Sequence, residues 1–126
     1  MYVTPLYTAA AALVFAVLSF RTLIMRQRRQ ISVGHGDDLK LERAIRAHGN
    51  FSEYVPLTLL VVFFLEYQGG EEYMVHFFCA CLVAGRIIHA TGLSQITEMV
   101  ALRVLGMGLT FTALIGASIR LIGMYL

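Results

Sequence analysis

Residues 41–57 read "LERAIRAHGNFSEYVPL", and within them Arg46, Asn50 and Glu53 stand at i, i+4 and i+7. At roughly 100° per residue they fall within about 60° of one another, so a cation, an amide and a carboxylate share one side of a helix. A cation and an imidazole, Arg86 and His89, stand at i and i+3 in "LVAGRIIHATG". Arg103 sits in "MVALRVLGMGLT", and Arg26 follows the first apolar run. Arginine forks take carboxylates in a bidentate way. Glu53 can take an ammonium, and the Asn50 side chain offers donor and acceptor to a peptide group. Such a set suits a small zwitterion carrying more carboxylates than amines. If that ligand carries a thiol, an arginine beside the sulfur favours the thiolate, which is the reactive nucleophile.

The elements that must carry these residues are unusually apolar. Of 126 residues 58% are hydrophobic and 14% charged, against about 25% charge in ordinary soluble domains. Mean hydropathy is +0.71. The apolar residues are gathered into runs, which indicates an all-α membrane protein, and the length predicts a single domain over residues 1–126. A spanning helix needs roughly 20 mainly apolar residues. Four candidates are predicted, at about residues 3–25, 41–66, 73–91 and 100–125. The clean apolar part of the second, "VPLTLLVVFFL", has only 11 residues. It reaches spanning length only by including the polar strip. A charge at mid-membrane costs about 3 kcal/mol on insertion scales, so these groups are expected to face a bundle interior, a partner subunit or a wet cavity. Pro56 follows the strip and would loosen the backbone bonding of that helix. Arg43, Glu42, Arg21 and Arg120 read as solvated or snorkelling side chains, and His48 as structural or interfacial.

Charge asymmetry sets the expected orientation. Residues 26–40 hold four basic and two acidic side chains, whereas "EYQGGEEY" holds three glutamates and no basic residue. The positive-inside rule puts the first connection in the cytoplasm and the second outside, so both termini are expected outside. The first run has its arginines after the apolar stretch instead of before it, which reads as a retained span and not a signal peptide. Short connections favour an up-down-up-down four-helix bundle.

The segment "ERAIRAHGNFSEYVPL" resembles the second-helix signature R-A-x-x-N-x-x-E-Y, followed by proline, of the membrane-associated proteins in eicosanoid and glutathione metabolism, the MAPEG family. "AGRIIHATG" is similar to the third-helix segment of that family's prostaglandin synthase branch and "RVLGMGLT" to the fourth-helix opening of its bacterial members. The resemblance covers nearly the whole chain and implies a four-helix subunit in a homotrimer, in a bacterial inner membrane. It implies glutathione as co-substrate, bound by Arg26, Arg46, Asn50, Glu53, Tyr54, Arg86 and His89, with Arg103 as the catalytic arginine that stabilises the thiolate. The activity implied is a glutathione transferase or peroxidase acting on lipophilic electrophiles or hydroperoxides, with a role in detoxification. A non-catalytic lipid- or glutathione-binding scaffold of the same family is the alternative. Leu93 stands where the eicosanoid synthases carry a tyrosine, and Gly49 replaces an arginine of the prostaglandin branch. Both departures speak against a dedicated eicosanoid synthase.

Other chemistries find little footing. His35, His48, His76 and His89 are scattered, so no metal site is expected. The net charge of +2 and the lack of a basic stripe give no reason to expect nucleic acid. Cys79 and Cys81 lie one residue apart in an apolar run and read as buried apolar side chains. Gly106, Gly108, Gly116 and Ala117 are expected to allow close helix packing on the fourth span.

Overall fold

A computed structural model describes residues 1–97 and 99–126, so the third connection, with Glu98, lies partly outside the described residues. It contains α1 (Thr4–Arg29), α2 (Leu39–Tyr67), α3 (Glu72–Ser94) and α4 (Val100–Gly123). The predicted spans are matched to within a few residues. The largest difference is at α1, which runs past Met25 to Arg29. Three arginines in that last turn complement the negative end of the helix dipole. Gln30 then turns left-handed (φ 55°), and the Ile31 amide closes the helix on the Arg26 carbonyl at 3.1 Å.

The connections fix how the helices lie. Asp38 caps α2 by accepting the Leu41 amide at 3.0 Å, and the same carboxylate pairs with Arg29 at 2.7 Å. At the far end of α2, Glu66 accepts the backbone amides of Val3 and Thr4, the latter at 2.9 Å. Those amides belong to the start of α1, where donors lack helical partners. α2 therefore begins beside the last turn of α1 and ends beside its first. By length and composition alone, α1, α3 and α4 qualify as membrane spans and α2 does not, because of its charged first half. Yet α2 is tied to both ends of α1, so it crosses whatever thickness α1 crosses. Arg120 pairs with Glu71 at 3.7 Å, and the Tyr7 hydroxyl meets His76 Nδ1 at 3.0 Å. Both contacts lie at the end of the bundle carrying the termini. Arg21 reaches Ser94 at 2.6 Å at the other end, the loop end. The expected up-down-up-down order holds.

α2 and α3 pack on each other and each packs on α1 and α4, whereas α1 and α4 do not meet among the described residues. Phe51, Val55 and Val62 of α2 join Phe78, Cys79 and Leu82 of α3 and Ala113 and Ala117 of α4 in one core. Leu13, Val17 and Phe20 of α1 and Val104, Ile115 and Ile119 of α4 are exposed. In water so much outward apolar surface would drive aggregation. In a bilayer it meets hydrocarbon. The helices then gain little from hydrophobic exclusion and must hold together by close packing and internal hydrogen bonds.

That packing is tightest between α3 and α4. A Cβ on Gly106 would stand 2.6 Å from the Gly85 carbonyl oxygen and 2.7 Å from the His89 amide nitrogen. No side chain fits there, so backbone lies against backbone. Gly116, under the Phe78 ring, and the buried Ala117 also pack as expected. Gly108 does not: a Cβ there would meet nothing within 4 Å. Two residues turn a helix by about 200°, which swings Gly108 away from the seam that Gly106 enters. α2 remains continuous through Pro56.

Candidate functional site

The two sides of α2 separate cleanly. Ala44, Ala47, Phe51 and Val55 are buried in the bundle. Arg46 and Glu53 are exposed on the flank, with Asn50 and Tyr54 half-buried. Among the described residues, no hydrogen bond or ion pair engages Arg46, Asn50 or Glu53. These groups are therefore not an internal ion-pair glue for their own subunit. Arg46 shares a cleft of about 120 Å³ with Leu39, Glu42, Arg43 and Leu93. Glu42 and Arg43, expected to be solvated or snorkelling, are half-buried there. The signal was available: they precede Arg46 by four and three residues, one turn away on the same side. Leu93, the position where the eicosanoid synthases carry a tyrosine, lines this same cleft.

Arg86 of α3 is 1% exposed, the largest fully buried side chain in the molecule. Its Nε donates to Thr110 Oγ1 at 2.8 Å and its Nη2 to Met107 Sδ at 3.1 Å, both on α4. The Thr110 hydroxyl in turn donates to the Gly106 carbonyl at 2.8 Å, which turns its lone pairs toward the guanidinium. The Tyr54 ring of α2 lies 5.3 Å from the guanidinium carbon and meets Phe111 edge-on at 5.8 Å. Nη1 is buried and has no partner among the described residues. Its partners among the described residues, a hydroxyl, a thioether and a phenol ring, are all neutral, so they hold the charge in place without cancelling it.

The remaining sequence-predicted residues divide into two groups. His89, buried one turn beyond Arg86, packs on Gly106, and the Arg86 and Arg103 charges both lie within electrostatic reach of its ring. Arg103 is half-buried in the first turn of α4. The structure thus links Tyr54, Arg86, His89 and Arg103 from three helices, running from mid-bundle at Tyr54 toward the loop end at Arg103. Arg46, Asn50 and Glu53 continue from Tyr54 along the outer side of α2. Arg26 stands apart within the chain, donating to the Ile31 and Gly34 carbonyls at 3.4 and 2.7 Å in the α1–α2 connection. Thr110 and Met107, which position Arg86, were not singled out from the sequence. Their types carry no chemical signal, and they lie more than twenty residues from their partner.

The other singled-out groups lie outside this site. His48 bonds Ser19 Oγ at 3.0 Å and stacks on Phe15 at 4.8 Å. Cys79 is buried and Cys81 half-buried, both unpaired thiols. Arg120, in its exposed ion pair, and Arg21, bonded to Ser94, each have a partner beyond solvent.

Beside Phe51 and Ser52, an apolar groove of about 270 Å³ opens between α1 and α2, walled by Ala11, Ala12, Val55 and Pro56. Its α2 wall faces largely away from the Arg46–Asn50–Glu53 strip, since Val55 and Leu59 stand roughly 180° around the helix from those residues.

The chain is similar to the inner membrane protein YecN of Escherichia coli strain K12, at 34% identity over 113 residues, 90% of this chain and 85% of that protein. The protein of the same name from Escherichia coli O6:H1 strain CFT073 matches with the same figures. No solved structure matches the chain significantly. The model of the MAPEG family matches residues 4–123, which takes in all four helices. The chain is a membrane protein of the MAPEG family.

Proposed function

We propose that the protein is a membrane-bound glutathione transferase with peroxidase capacity. The observation that carries this reading is the unengaged cation–amide–carboxylate strip on α2, leading through Tyr54 to a buried, uncancelled Arg86. Charged side chains left without partners on an apolar bundle are costly unless something outside the subunit completes them. In this reading three copies assemble, the strip lies between neighbours, and glutathione fills it. Arg46 and Arg26 take its carboxylates, Glu53 its ammonium and Asn50 a peptide group. Arg86 and His89 close the buried side.

Arg103 would hold the thiolate. The thiol proton leaves to water, and the sulfur attacks an electrophilic carbon: an S–C bond forms as the carbon–halide bond breaks. With a hydroperoxide the thiolate attacks oxygen, the O–O bond breaks, and a second glutathione completes the disulfide with release of alcohol and water. The α1–α2 groove offers room for the lipophilic partner. Topology follows charge: the arginine-rich first connection is cytoplasmic, both termini face away, and the membrane is the inner one, as the names of the relatives have it.

The test is purified protein with glutathione and an aryl halide, following conjugate formation beside calorimetric binding. Saturable binding with turnover that collapses in Arg103→Ala, the oligomer intact, supports the enzyme. Saturable binding without turnover turns the assignment to a scaffold. No glutathione binding overturns both.

A further inference from the structure

A second groove, of about 420 Å³, runs between α1 and α3 and shares no residue with the proposed thiol site. Val14 and Val17 wall it on one side, Ile87 and Ala90 on the other. Its α3 wall, from Ile87 to Gln95, is about 12 Å long at 1.5 Å per residue, close to the depth of one hydrocarbon leaflet of about 15 Å. Arg21 closes the groove at the loop end. It is half-buried, one Nη donates to Ser94 Oγ at 2.6 Å, and the Gln95 amide lines the same end. No carboxylate pairs with Arg21 among the described residues. Nearby on α1, Arg29 is cancelled by Asp38, whereas Arg28 is exposed and has no partner among the described residues. An apolar trough one leaflet deep thus ends in an uncancelled cation beside a hydroxyl and an amide.

We propose that this groove holds a phospholipid with an anionic headgroup. One acyl chain lies between α1 and α3, and the phosphate oxygens are held by Arg21 with Ser94 and Gln95 alongside. Charge complementarity selects the occupant. A zwitterionic headgroup brings its own cation to Arg21 and gains less than one with net negative charge.

The full chain in nanodiscs of equal phosphatidylcholine and phosphatidylglycerol, with matched acyl chains, tests this by native mass spectrometry after release. The expected result is retained phosphatidylglycerol over phosphatidylcholine by about tenfold, the scale of one charge-assisted contact. Arg21→Gln brings the two lipids to parity. Thr91→Trp, which fills the trough from its exposed rim without altering charge, removes the retained lipid. Parity in the parent protein, an unchanged preference in Arg21→Gln, or lipid retained in Thr91→Trp overturns the proposal. So does a Thr91→Cys variant that crosslinks copy to copy, since a second copy would then occupy the groove. If Arg21→Gln does not fold, Thr91→Trp decides alone.

Discussion

The seam between α3 and α4 and the seam between α1 and α2 are built to opposite rules. In the first, Gly85 and Gly106 bring two backbones into contact, and the polar side chains are sealed inside. In the second, Thr8, Ala12 and Pro56 leave apolar gaps, of which the larger, toward the termini end, is about 590 Å³. A buried guanidinium needs fixed neighbours, because each small displacement exposes a cation to a low-dielectric surrounding. A lipophilic guest needs the reverse, space without fixed partners. The difference teaches that the bundle divides its work: α3 and α4 hold charge in position, while α1 and α2 leave room.

The sharpest way to break this contrast is Gly106→Val. A branched side chain driven into the Gly85 carbonyl and the His89 backbone is expected to cost about 3 kcal/mol or more, so cooperative melting in detergent is lost. Arg103→Ala acts on chemistry instead: kcat/KM is expected to fall at least about 100-fold, near 3 kcal/mol, in protein that still melts cooperatively. Arg46→Ala should weaken glutathione binding about tenfold in calorimetry with little loss of stability, since no hydrogen bond or ion pair engages that side chain among the described residues. In the open seam, Ala12→Trp is expected to raise KM for a long-chain hydroperoxide while sparing a small aryl halide. Its stability should stay within about 0.5 kcal/mol of the parent. Gly108→Ala is the smallest: no loss, or a gain of up to about 1 kcal/mol from helix propensity. Equal damage from Gly106→Val and Gly108→Ala would erase the distinction between the two sides of α4.

The sequence made the scaffold legible because membrane thickness and charge cost leave few options. Span number, up-down order and the shared side of Arg46, Asn50 and Glu53 follow from periods of one helix. Partnerships between helices do not. Nothing local marks Thr110 as the acceptor for Arg86, and Gly85 and Gly106 meet only once the register of α3 against α4 is set. The glycines of α4 show the same limit. Counting small residues placed Gly108 with Gly106, and only the register of α4 against α3 shows that one enters the seam and the other does not. Arg26 illustrates a third case: its local carbonyl acceptors arise from the left-handed turn at Gln30 and the glycines after it, a conformation its own spacing does not announce.

The charged first half of α2 also bears on how the molecule is made. A nascent chain delivers α2 to the translocon before α3 and α4 exist, and its Arg43, Arg46, Glu42 and Glu53 make lateral release into lipid unfavourable on its own. At that moment its nearest companion is α1, whose Thr22 hydroxyl already faces the Ala44 carbonyl at 3.4 Å in the finished bundle. Membrane integration of this protein is therefore expected to be a hairpin event, with the first two helices leaving the channel as a pair.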